Sequence, residues 1–197
     1  MVHLLQSEGS SKRIGINGLL LNSLFQTDSH HRRQEDFMSQ ASYRFATQDD
    51  VPVILDLIKQ LAEYEKAADQ VVATEKLLHE SLFEQRAAEV LLVEVDGRAV
   101  GFAVFFTSYS TWLARAGIFL EDLFVLPDER GKGYGKGLLV RLAQIAVERG
   151  CGRLEWNCLD WNQPSIDFYL SLGAEQMGCW TTYRLEGDTL ETLASEG

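Results

Sequence analysis

Cysteine and proline are scarce in this chain of 197 residues, which contains three of each. Cys151, Cys158 and Cys179 form no C-x-x-C pair and have no histidine nearby, so neither a zinc site nor a disulfide framework is expected. No apolar run approaches the roughly 18 residues that a membrane helix needs. We therefore expect a cytoplasmic protein with reduced cysteines, no bound metal and no membrane partner.

Positive charge is scarce as well, because 18 Lys and Arg residues stand against 29 Asp and Glu residues, for a net charge of −11. Binding of nucleic acid requires a basic face, so nucleic acid is not an expected partner. The acidic balance favours a small cationic substrate, although many acidic proteins bind no cation. The length suits one domain with a sizeable core.

Residues 1–37 differ from the rest of the chain, because they are polar and irregular apart from one short apolar patch at residues 18–21. A signal peptide fits poorly, since the patch is short and no small-residue cleavage site follows it. We expect either a disordered leader or a start site placed too far upstream of Met38. One domain over residues 38–197 would follow.

Apolar periodicity and turn residues predict a mixed α/β fold. Apolar residues recur at helical spacing after Thr47, and period-two alternation on both sides of Asp96-Gly97 predicts a β-hairpin. Residues 108–117, which include Trp112, are expected to form a loop. The predicted order is β-α-α-β-β-β-α-β-α-β, with strands near 43–46, 89–95, 99–107, 118–125, 153–159 and 180–186 and helices near 47–66, 74–84, 138–149 and 162–172. This order indicates a central, mostly antiparallel sheet with helices on both faces, an α/β (α+β) class of fold.

The stretch Leu120–Gly137, LEDLFVLPDERGKGYGKG, combines a short strand, a proline and a glycine-rich basic turn ahead of a predicted helix. Glycines let the main chain approach a phosphate closely, and the first N–H groups of a helix favour an anion. The spacing fails the dinucleotide fingerprint G-x-G-x-x-G, and it fails the P-loop, which needs a glycine where Arg130 stands. Arg130, Gly133 and Gly135 fit R-x-x-G-x-G instead. A phosphate-bearing ligand is therefore expected near residues 130–136.

With this motif and this element order, the chain resembles the GNAT N-acetyltransferase superfamily, and within it the spermidine/spermine (diamine) N1-acetyltransferase and thialysine acetyltransferase group. The matching stretches are 57–65 (LIKQLAEYE), 120–125 (LEDLFV), 130–135 (RGKGYG) and 160–174, which contains DWNQ, FY and GA. The resemblance implies a GNAT fold, acetyl-CoA as co-substrate and a homodimer. It also implies acetyl transfer to a primary amine of a small cationic substrate (a diamine, polyamine or lysine-like amino acid) by direct attack in a ternary complex. A protein or peptide acetyltransferase and a non-catalytic acetyl-CoA-binding module are the alternatives.

For the cofactor, the resemblance implies that main-chain groups of residues 123–125 contact the pantetheine arm and that N–H groups of residues 131–136 hold the pyrophosphate. Arg130, Lys132 and Lys136 would add positive charge, although a solvated loop explains Lys132 equally well. The implied cofactor-binding set is Leu123, Phe124, Val125, Arg130, Gly131, Lys132, Gly133, Tyr134, Gly135, Lys136, Asn162, Ser165 and Tyr169.

For catalysis, the resemblance indicates Tyr169 as the acid and Glu121 as the base. A tyrosine hydroxyl, with a pKa of about 10, can give a proton to a thiolate, while core packing beside Phe168 is the alternative role for Tyr169. In a regular strand Glu121 and Asp122 point to opposite faces, so one of them must face a partly apolar surface, where burial raises a carboxyl pKa. We expect Glu121 to be the base, or to attract the amine while water carries the proton. Asp122 would then be a solvated or dimer-facing acid.

The amine site that the resemblance implies comprises Tyr64, Glu65, Trp112, Glu121, Asp122, Glu155, Trp156, Asn157 and Trp180. The two residues Trp112 and Trp180 could contact an ammonium by cation–π interaction, or they could pack in the core. Ser110-Thr111 precede the first and Gly178-Cys179 the second, where acidic residues are usual in the polyamine enzymes. These departures favour a shorter amine or an amino-acid-like substrate over a long polyamine.

Overall fold

The computed structural model describes residues 41–179 and 181–196, which form two compact units that divide between Glu155 and Trp156. The predicted leader over residues 1–37 lies outside the described residues. The elements are β1 (Ala41–Phe45), α1 (Val51–Tyr64), α2 (Glu75–His79), β2 (Glu89–Val95), β3 (Arg98–Ser110), β4 (Arg115–Val125), α3 (Tyr134–Glu148), β5 (Leu154–Trp156), α4 (Gln163–Ser171) and α5 (Gly187–Ala194).

The five strands form one sheet in the order β1-β2-β3-β4-β5. β1 pairs with β2, β2 with β3 and β3 with β4, each in antiparallel orientation. The turn between β2 and β3 is Asp96-Gly97, and both residues have positive φ (51° and 76°), as a two-residue hairpin requires. The predicted hairpin and the mostly antiparallel sheet are confirmed.

Helices α1 and α3 cover opposite faces of the sheet. Leu92, Phe102 and Phe124 lie side by side on neighbouring strands, and they pack with Leu57 and Leu61 of α1 in one hydrophobic core. On the other face lies Tyr43 of β1, whose side chain meets α3 at Gly137, where a Cβ would collide with the Tyr43 hydroxyl. The prediction of helices on both faces is therefore confirmed.

Helix α1 begins at Val51, four residues after the predicted start at Thr47, and Thr47 caps the 3-10 turn that precedes it. The Thr47 main-chain N–H and hydroxyl donate to the Asp50 carboxylate at 2.7 and 3.0 Å, and a 3-10 turn at Gln48–Asp50 leads into the helix. Arg44 of β1 donates to the two oxygens of the same carboxylate at 2.7 and 2.8 Å. These bonds hold the pKa of Asp50 well below its usual range and tie the helix start to the sheet. The second predicted helix is α2 followed by a π-helical turn at Glu80–Glu84.

Strands β3 and β4 extend into the predicted loop 108–117, so that prediction is wrong. Ser108 pairs with Gly117 and Ser110 pairs with Arg115, which leaves residues 111–114 as the connection. A Cβ at Gly117 would lie 2.8 Å from the Ser108 hydroxyl, so glycine makes this close pairing fit. The sequence signal is weak here because serines and a glycine replace the usual β-branched residues.

Helix α3 begins at Tyr134, four residues before the predicted start at Leu138. Gly135 and Gly137 in its first turn lower the helix propensity, which is why the sequence pattern indicated a later start. Its packing against the sheet outweighs that cost. The loop that precedes α3 is shorter than expected, and the helix N-terminus falls within the glycine-rich motif itself.

The prediction of a last strand at 180–186 is wrong for residues 181–186, which have no regular secondary structure. Trp180 lies outside the described residues. The alternating Tyr183 and Leu185 are 91% and 52% exposed, so their spacing does not mark a buried strand face. Helix α5, which the sequence analysis missed, follows. Strand β5 ends at Trp156, three residues before the predicted end at 159.

Strand β4 contains a β-bulge at Glu121. Val104 of β3 pairs with Asp122 and the next residue, Phe105, pairs with Leu120, so the register skips Glu121. Since Val104 and Phe105 point to opposite faces, Leu120 and Asp122 also lie on opposite faces. The alternation of a regular strand, which the sequence analysis assumed, is therefore interrupted at Glu121. Asp122 lies on the α1 face, with Phe124.

Candidate active site

The glycine-rich turn between β4 and α3 leaves main-chain N–H groups accessible to a ligand. Gly131 and Gly133 have positive φ of 77° and 88°, where glycine is favoured. A Cβ at either position would meet no atom within 4 Å, so open space lies beside the main chain. Gly133 is the N-cap of α3, and its first turn receives no side-chain cap. These N–H groups and the positive end of the helix dipole fit a phosphate group.

Two of the three cations of this turn are engaged within the protein. Lys132 Nζ lies 2.8 Å from Glu129 Oε2. Arg130 Nε donates to the Val125 carbonyl at 3.0 Å, and the Arg130 guanidinium carbon lies 4.4 Å from the centre of the Tyr64 ring. Lys136 is exposed in the first turn of α3. The expected positive charge of Arg130 and Lys132 is thus partly used by neighbouring protein groups.

The end of β4 carries the residues expected along the pantetheine arm. Leu123 pairs with Ala103 and Val125 with Gly101 on β3, so the β3 side of this segment is already occupied by sheet pairing. Gly135 of α3 lies over Val125, and a Cβ there would be 3.9 Å from Val125 Cγ2. The helix N-terminus is therefore held directly against the end of the strand.

Of the two adjacent carboxylates of β4, Asp122 is the more enclosed. Asp122 is half-buried, whereas Glu121, the extra residue of the bulge, is exposed. Burial, followed by the negative charges of Glu121 and Glu65, raises the pKa of Asp122 to about 6. The expectation that one of the pair faces an enclosed surface is met by Asp122 and not by Glu121, because the bulge changes the alternation.

Tyr64 and Glu65 lie at the C-terminal end of α1, as predicted. Tyr64 packs against the core that contains Leu61 and Phe124. Glu65 follows as the C-cap, and burial raises the pKa of its carboxyl group. Since Glu65 also raises the pKa of Asp122, the end of α1 and the bulge of β4 form one acidic region.

In the second unit, Tyr169 lies in the last part of α4 among other aromatic side chains. The Tyr169 ring centre is 5.0 Å from that of Trp156 and 5.4 Å from that of Phe168. Burial, and then an electrostatic interaction with Cys158, raises the pKa of Tyr169 to about 12. The sequence analysis did not connect Cys158 with this hydroxyl, because the two are eleven residues apart in sequence.

The start of α4 follows the predicted motif. The buried Asn162 is the N-cap, and its side-chain oxygen accepts the Ser165 N–H at 3.4 Å. Pro164 occupies the first turn, where its missing N–H costs nothing. The capped start fixes where the helix that carries Tyr169 begins.

The remaining predicted amine-site residues belong to both units and are described one by one. Trp112 is 90% exposed in the connection between β3 and β4, so neither core packing nor an enclosed wall describes it in this chain. Glu155 lies 2.6 Å from Arg153 Nε in an ion pair, and Asn157 is exposed. Trp180 lies outside the described residues. Trp156, through its contact with Tyr169, is the member of this set that lies beside a candidate catalytic group.

Comparisons with known proteins show which family the chain is similar to. Residues 55–174 match the model of the acetyltransferase (GNAT) family. A thialysine N-epsilon-acetyltransferase of Bos taurus is 36% identical over 78% of this chain and 96% of its own length. An L-ornithine N5-acetyltransferase of Arabidopsis thaliana is 33% identical over 76% of this chain and 86% of its own length. An integron cassette protein from the mobile metagenome of V. cholerae superposes with a TM-score of 0.68 at 26% identity, over 79% of this chain and 98% of its own.

The chain therefore belongs to the GNAT acetyltransferase family. It is an N-acetyltransferase, and the resemblance to the thialysine-acetylating group is confirmed. Within residues 41–179 and 181–196, no helix is both long and apolar enough to cross a bilayer. The same residues contain no group of three His, Cys, Asp or Glu side chains that could hold a metal ion.

Proposed function

We propose that this enzyme transfers the acetyl group of acetyl-CoA to the side-chain amine of a small, lysine-like or ornithine-like amino acid, or to a short diamine, by direct attack in a ternary complex. The observation that carries the proposal is the acidic region formed by Asp122, Glu121 and Glu65. Its negative charge suits a cationic amine. The thialysine and ornithine acetyltransferases that are similar to this chain support the same class of substrate.

The cofactor side of the proposal rests on the open main chain at the start of α3. The N–H groups of residues 131–136 would hold the pyrophosphate, with Lys136 as the exposed cation beside them. The edge of residues 123–125 that faces away from β3 would hold the pantetheine arm. When bound, acetyl-CoA supplies an acetyl thioester as the acyl donor. Asn162 and Ser165 contribute by fixing the start of α4.

For the amine, the reactive species must be neutral, because an ammonium has no lone pair. We propose that the exposed Glu121 attracts the ammonium and that the half-buried Asp122 accepts its proton, directly or through water. A carboxyl pKa of about 6 in place of 3.8 makes Asp122 a better base. That difference lowers the free-energy cost of proton transfer from a lysine-like ammonium to Asp122 by about 3 kcal/mol.

For the leaving sulfur, we propose Tyr169 as the donor. With a pKa of about 12, its hydroxyl keeps its proton at every physiological pH. Complete transfer to a thiolate with a pKa of about 8.5 would be uphill by about 5 kcal/mol. Tyr169 therefore acts chiefly by donating a hydrogen bond that stabilises the sulfur as negative charge develops there.

The test is steady-state release of CoA thiol by the purified full-length chain with acetyl-CoA and a panel of amines. The panel comprises thialysine, ornithine, lysine, putrescine, spermidine and spermine, and mass spectrometry identifies the acetylated nitrogen. We expect the highest kcat/KM with an amino-acid amine. No thiol release above the amine-free rate with any of them would reject the function, and a preference for spermine would reject the substrate class.

A further inference from the structure

The end of helix α1 has a lysine at a position where its backbone favours glycine. The Lys66 N–H donates to the Glu63 carbonyl at 3.1 Å. The Ala67 N–H donates to the Ala62 carbonyl at 2.9 Å, which completes the Schellman motif of helix ends. Lys66 takes the positive φ of this motif, 60°, and glycine is the usual residue there because it adopts that φ without strain. The chain thus keeps a long side chain where the backbone disfavours one.

Lys66 is exposed, and its ammonium forms no ion pair within the part of the chain that the structure describes. Lys76 and Lys132 differ, because they lie 3.7 and 2.8 Å from the carboxylates of Glu80 and Glu129. The helix end does not need a cation at position 66, and no described carboxylate is paired with it. Residues that hold an unfavourable backbone conformation cluster at functional sites, so Lys66 is a candidate for a role in binding.

The end of α1 lies on the same face of the sheet as Asp122. Tyr64, the last residue of α1, packs against the hydrophobic core that contains Phe124. Val104, which pairs with Asp122 across the sheet, packs against the same core. Since Lys66 follows Tyr64 by two residues, a lysine stands beside the acidic region to which the proposed function assigns the amine.

A cation at this place distinguishes an amino acid from a diamine. An amino acid with a side-chain amine carries an anionic α-carboxylate at its other end, whereas a diamine or polyamine has no anionic group. The acidic region attracts the amine, but it repels a carboxylate. A lysine ammonium beside the acids supplies the opposite charge and three N–H donors. The combination therefore suits a substrate with both charges.

We propose that Lys66 is a specificity-determining residue, which binds the α-carboxylate of an amino-acid substrate and so favours it over a diamine. This role rests on the proposed function, because the acidic region is where that function places the reacting amine. The contact is a charge-assisted hydrogen bond from the Lys66 ammonium to a carboxylate oxygen. It is remote from the reacting atoms and equally strong before and during the reaction, so its loss should raise KM and leave kcat nearly unchanged.

The test uses pairs of substrates that differ in the carboxylate group. Ornithine is compared with putrescine, which lacks this group, and lysine with lysinamide, in which it is neutral. Lys66→Met removes the charge and keeps an unbranched side chain. We expect this variant to raise the KM for ornithine and lysine about tenfold, the low end for a hydrogen bond to a charged group. The KM for putrescine and lysinamide, and kcat for all four amines, should stay within about twofold of wild type.

Three further variants separate the charge from the structure. Lys66→Arg keeps the charge and should keep most of the preference for ornithine over putrescine. Lys66→Gly removes the charge but suits the positive φ, so its Tm should equal or exceed that of wild type while the ornithine KM rises as in Lys66→Met. Lys59→Met, a loss of charge at an exposed position of α1, should leave all four KM values unchanged.

Three results would overturn the proposal. The first is an equal rise in the KM for ornithine and for putrescine in Lys66→Met, because the lost contact would then not involve the carboxylate. The second is an unchanged ornithine KM in both Lys66→Met and Lys66→Gly. The third is a wild-type chain that acetylates diamines but no amino acid.

Failure of the proposed function would give a different result, since the wild-type chain would then release no thiol with any amine. In that case calorimetric titration of ornithine into the full-length chain saturated with CoA decides the role of Lys66 without turnover. A Kd that rises about tenfold in Lys66→Met and is nearly unchanged in Lys66→Arg supports the role. Absence of binding to the wild-type chain, or an equal Kd for Lys66→Met and wild type, overturns it.

Discussion

Asp122 pairs with Val104 across the sheet, while its neighbour Glu121 is the extra residue that the register skips. Two adjacent carboxylates therefore have different surroundings. Asp122 is half-buried with a pKa of about 6, and Glu121 is exposed to solvent. A β-bulge is the physical cause, because it adds one residue to β4 without a partner on β3. The pair can thus divide two tasks, attraction of a cation and acceptance of a proton.

The pH dependence of catalysis should identify which carboxylate accepts the proton. We expect kcat/KM for the amine to fall as the pH drops below about 6, because protonated Asp122 cannot act as a base. Asp122→Asn should remove this limb and lower the plateau by about 10²-fold, the low end of general-base effects. The amine itself titrates near pH 10 and does not produce a limb at pH 6.

Glu121→Gln is the matched comparison. This variant should keep the limb near pH 6 and raise the amine KM, because an exposed charge that attracts the substrate is lost. If Glu121→Gln removes the limb and Asp122→Asn keeps it, Glu121 is the base and the assignment made from the bulge is wrong. Both profiles are measured by thiol release at saturating acetyl-CoA.

The stability of the fold should also change with pH through Asp122. Its pKa is higher in the folded chain than the unfolded value of 3.8, so the folded state binds more protons between about pH 4 and pH 6. Stability from this group is therefore present below pH 4 and is lost as the pH rises through about 6. The full shift corresponds to about 3 kcal/mol, and because Asp122 is only half-buried we expect about 1–2 kcal/mol.

Asp122→Asn should accordingly raise the free energy of unfolding at pH 7 by about 1–2 kcal/mol and change it little at pH 3.5. Urea denaturation at the two pH values measures the difference. Asp69→Asn, at an exposed site, is the control and should stay within about 0.5 kcal/mol of wild type. The contribution of Asp50 to the pH dependence of stability has the opposite sign, because Arg44 lowers the pKa of Asp50. That contribution is the same in the variant and in the wild type, so it cancels when the two are compared. A variant that is less stable at pH 7 would contradict the burial of an ionised Asp122.

Removal of the Tyr169 hydroxyl should affect the chemical step. Tyr169→Phe keeps the ring that packs on Trp156 and Phe168, so we expect a normal fold and a normal acetyl-CoA Kd. Without the donor for the sulfur, kcat should fall by about 10²-fold. Tyr183→Phe, at a 91% exposed tyrosine of the same unit, serves as the control and should keep its kcat. An unchanged kcat in Tyr169→Phe would exclude the hydroxyl from the mechanism.

The close approach of α3 to β1 makes Gly137 a site of high sensitivity. A Cβ at this position would collide with the hydroxyl oxygen and the ring of Tyr43, whose hydroxyl is buried. Gly137→Ala should destabilise the fold by about 1–3 kcal/mol, the usual cost of overpacking. Thermal unfolding measures the effect, and Tyr43→Leu in the same chain should recover part of it. If the stability losses of Gly137→Ala and Tyr43→Leu add up in the double variant, the methyl group added at Gly137 and the Tyr43 side chain do not contact each other.

Most elements of the fold follow from local patterns in the sequence. The hairpin turn at Asp96-Gly97 requires two positive φ angles, and the cap at Asn162 precedes a proline, so both features are visible without a structure. The start of α3 was placed too late because glycines lower its propensity and only packing on the sheet restores it. The prediction of a strand at 180–186 is wrong for residues 181–186 because it relied on local alternation alone. Tyr183 and Leu185 alternate, but they do not form a buried face.

In the candidate site, too, some features can be predicted from local sequence and others depend on tertiary structure. The glycine turn, Tyr169 and the acidic pair are predictions from local sequence motifs and the family resemblance. Two features could not be found in this way. The bulge depends on the register of β4 against β3, and the contact of Arg130 with Tyr64 joins residues far apart in sequence. Both are tertiary relationships, and no spacing within one element encodes them.

The turn before α3 has a further consequence for how the acetyl donor is attracted. Lys132 is paired with Glu129, and Arg130 contacts the Tyr64 ring, so both side chains already have contacts with other groups of the protein surface. The donor would then be retained mainly by oriented N–H dipoles of the main chain. Mobile ions screen such dipoles less than they screen free surface cations, so recognition of the donor should tolerate a wide range of ionic strength. In a protein with a net charge of −11, such dipoles would let the chain hold an anionic donor without a strongly basic face.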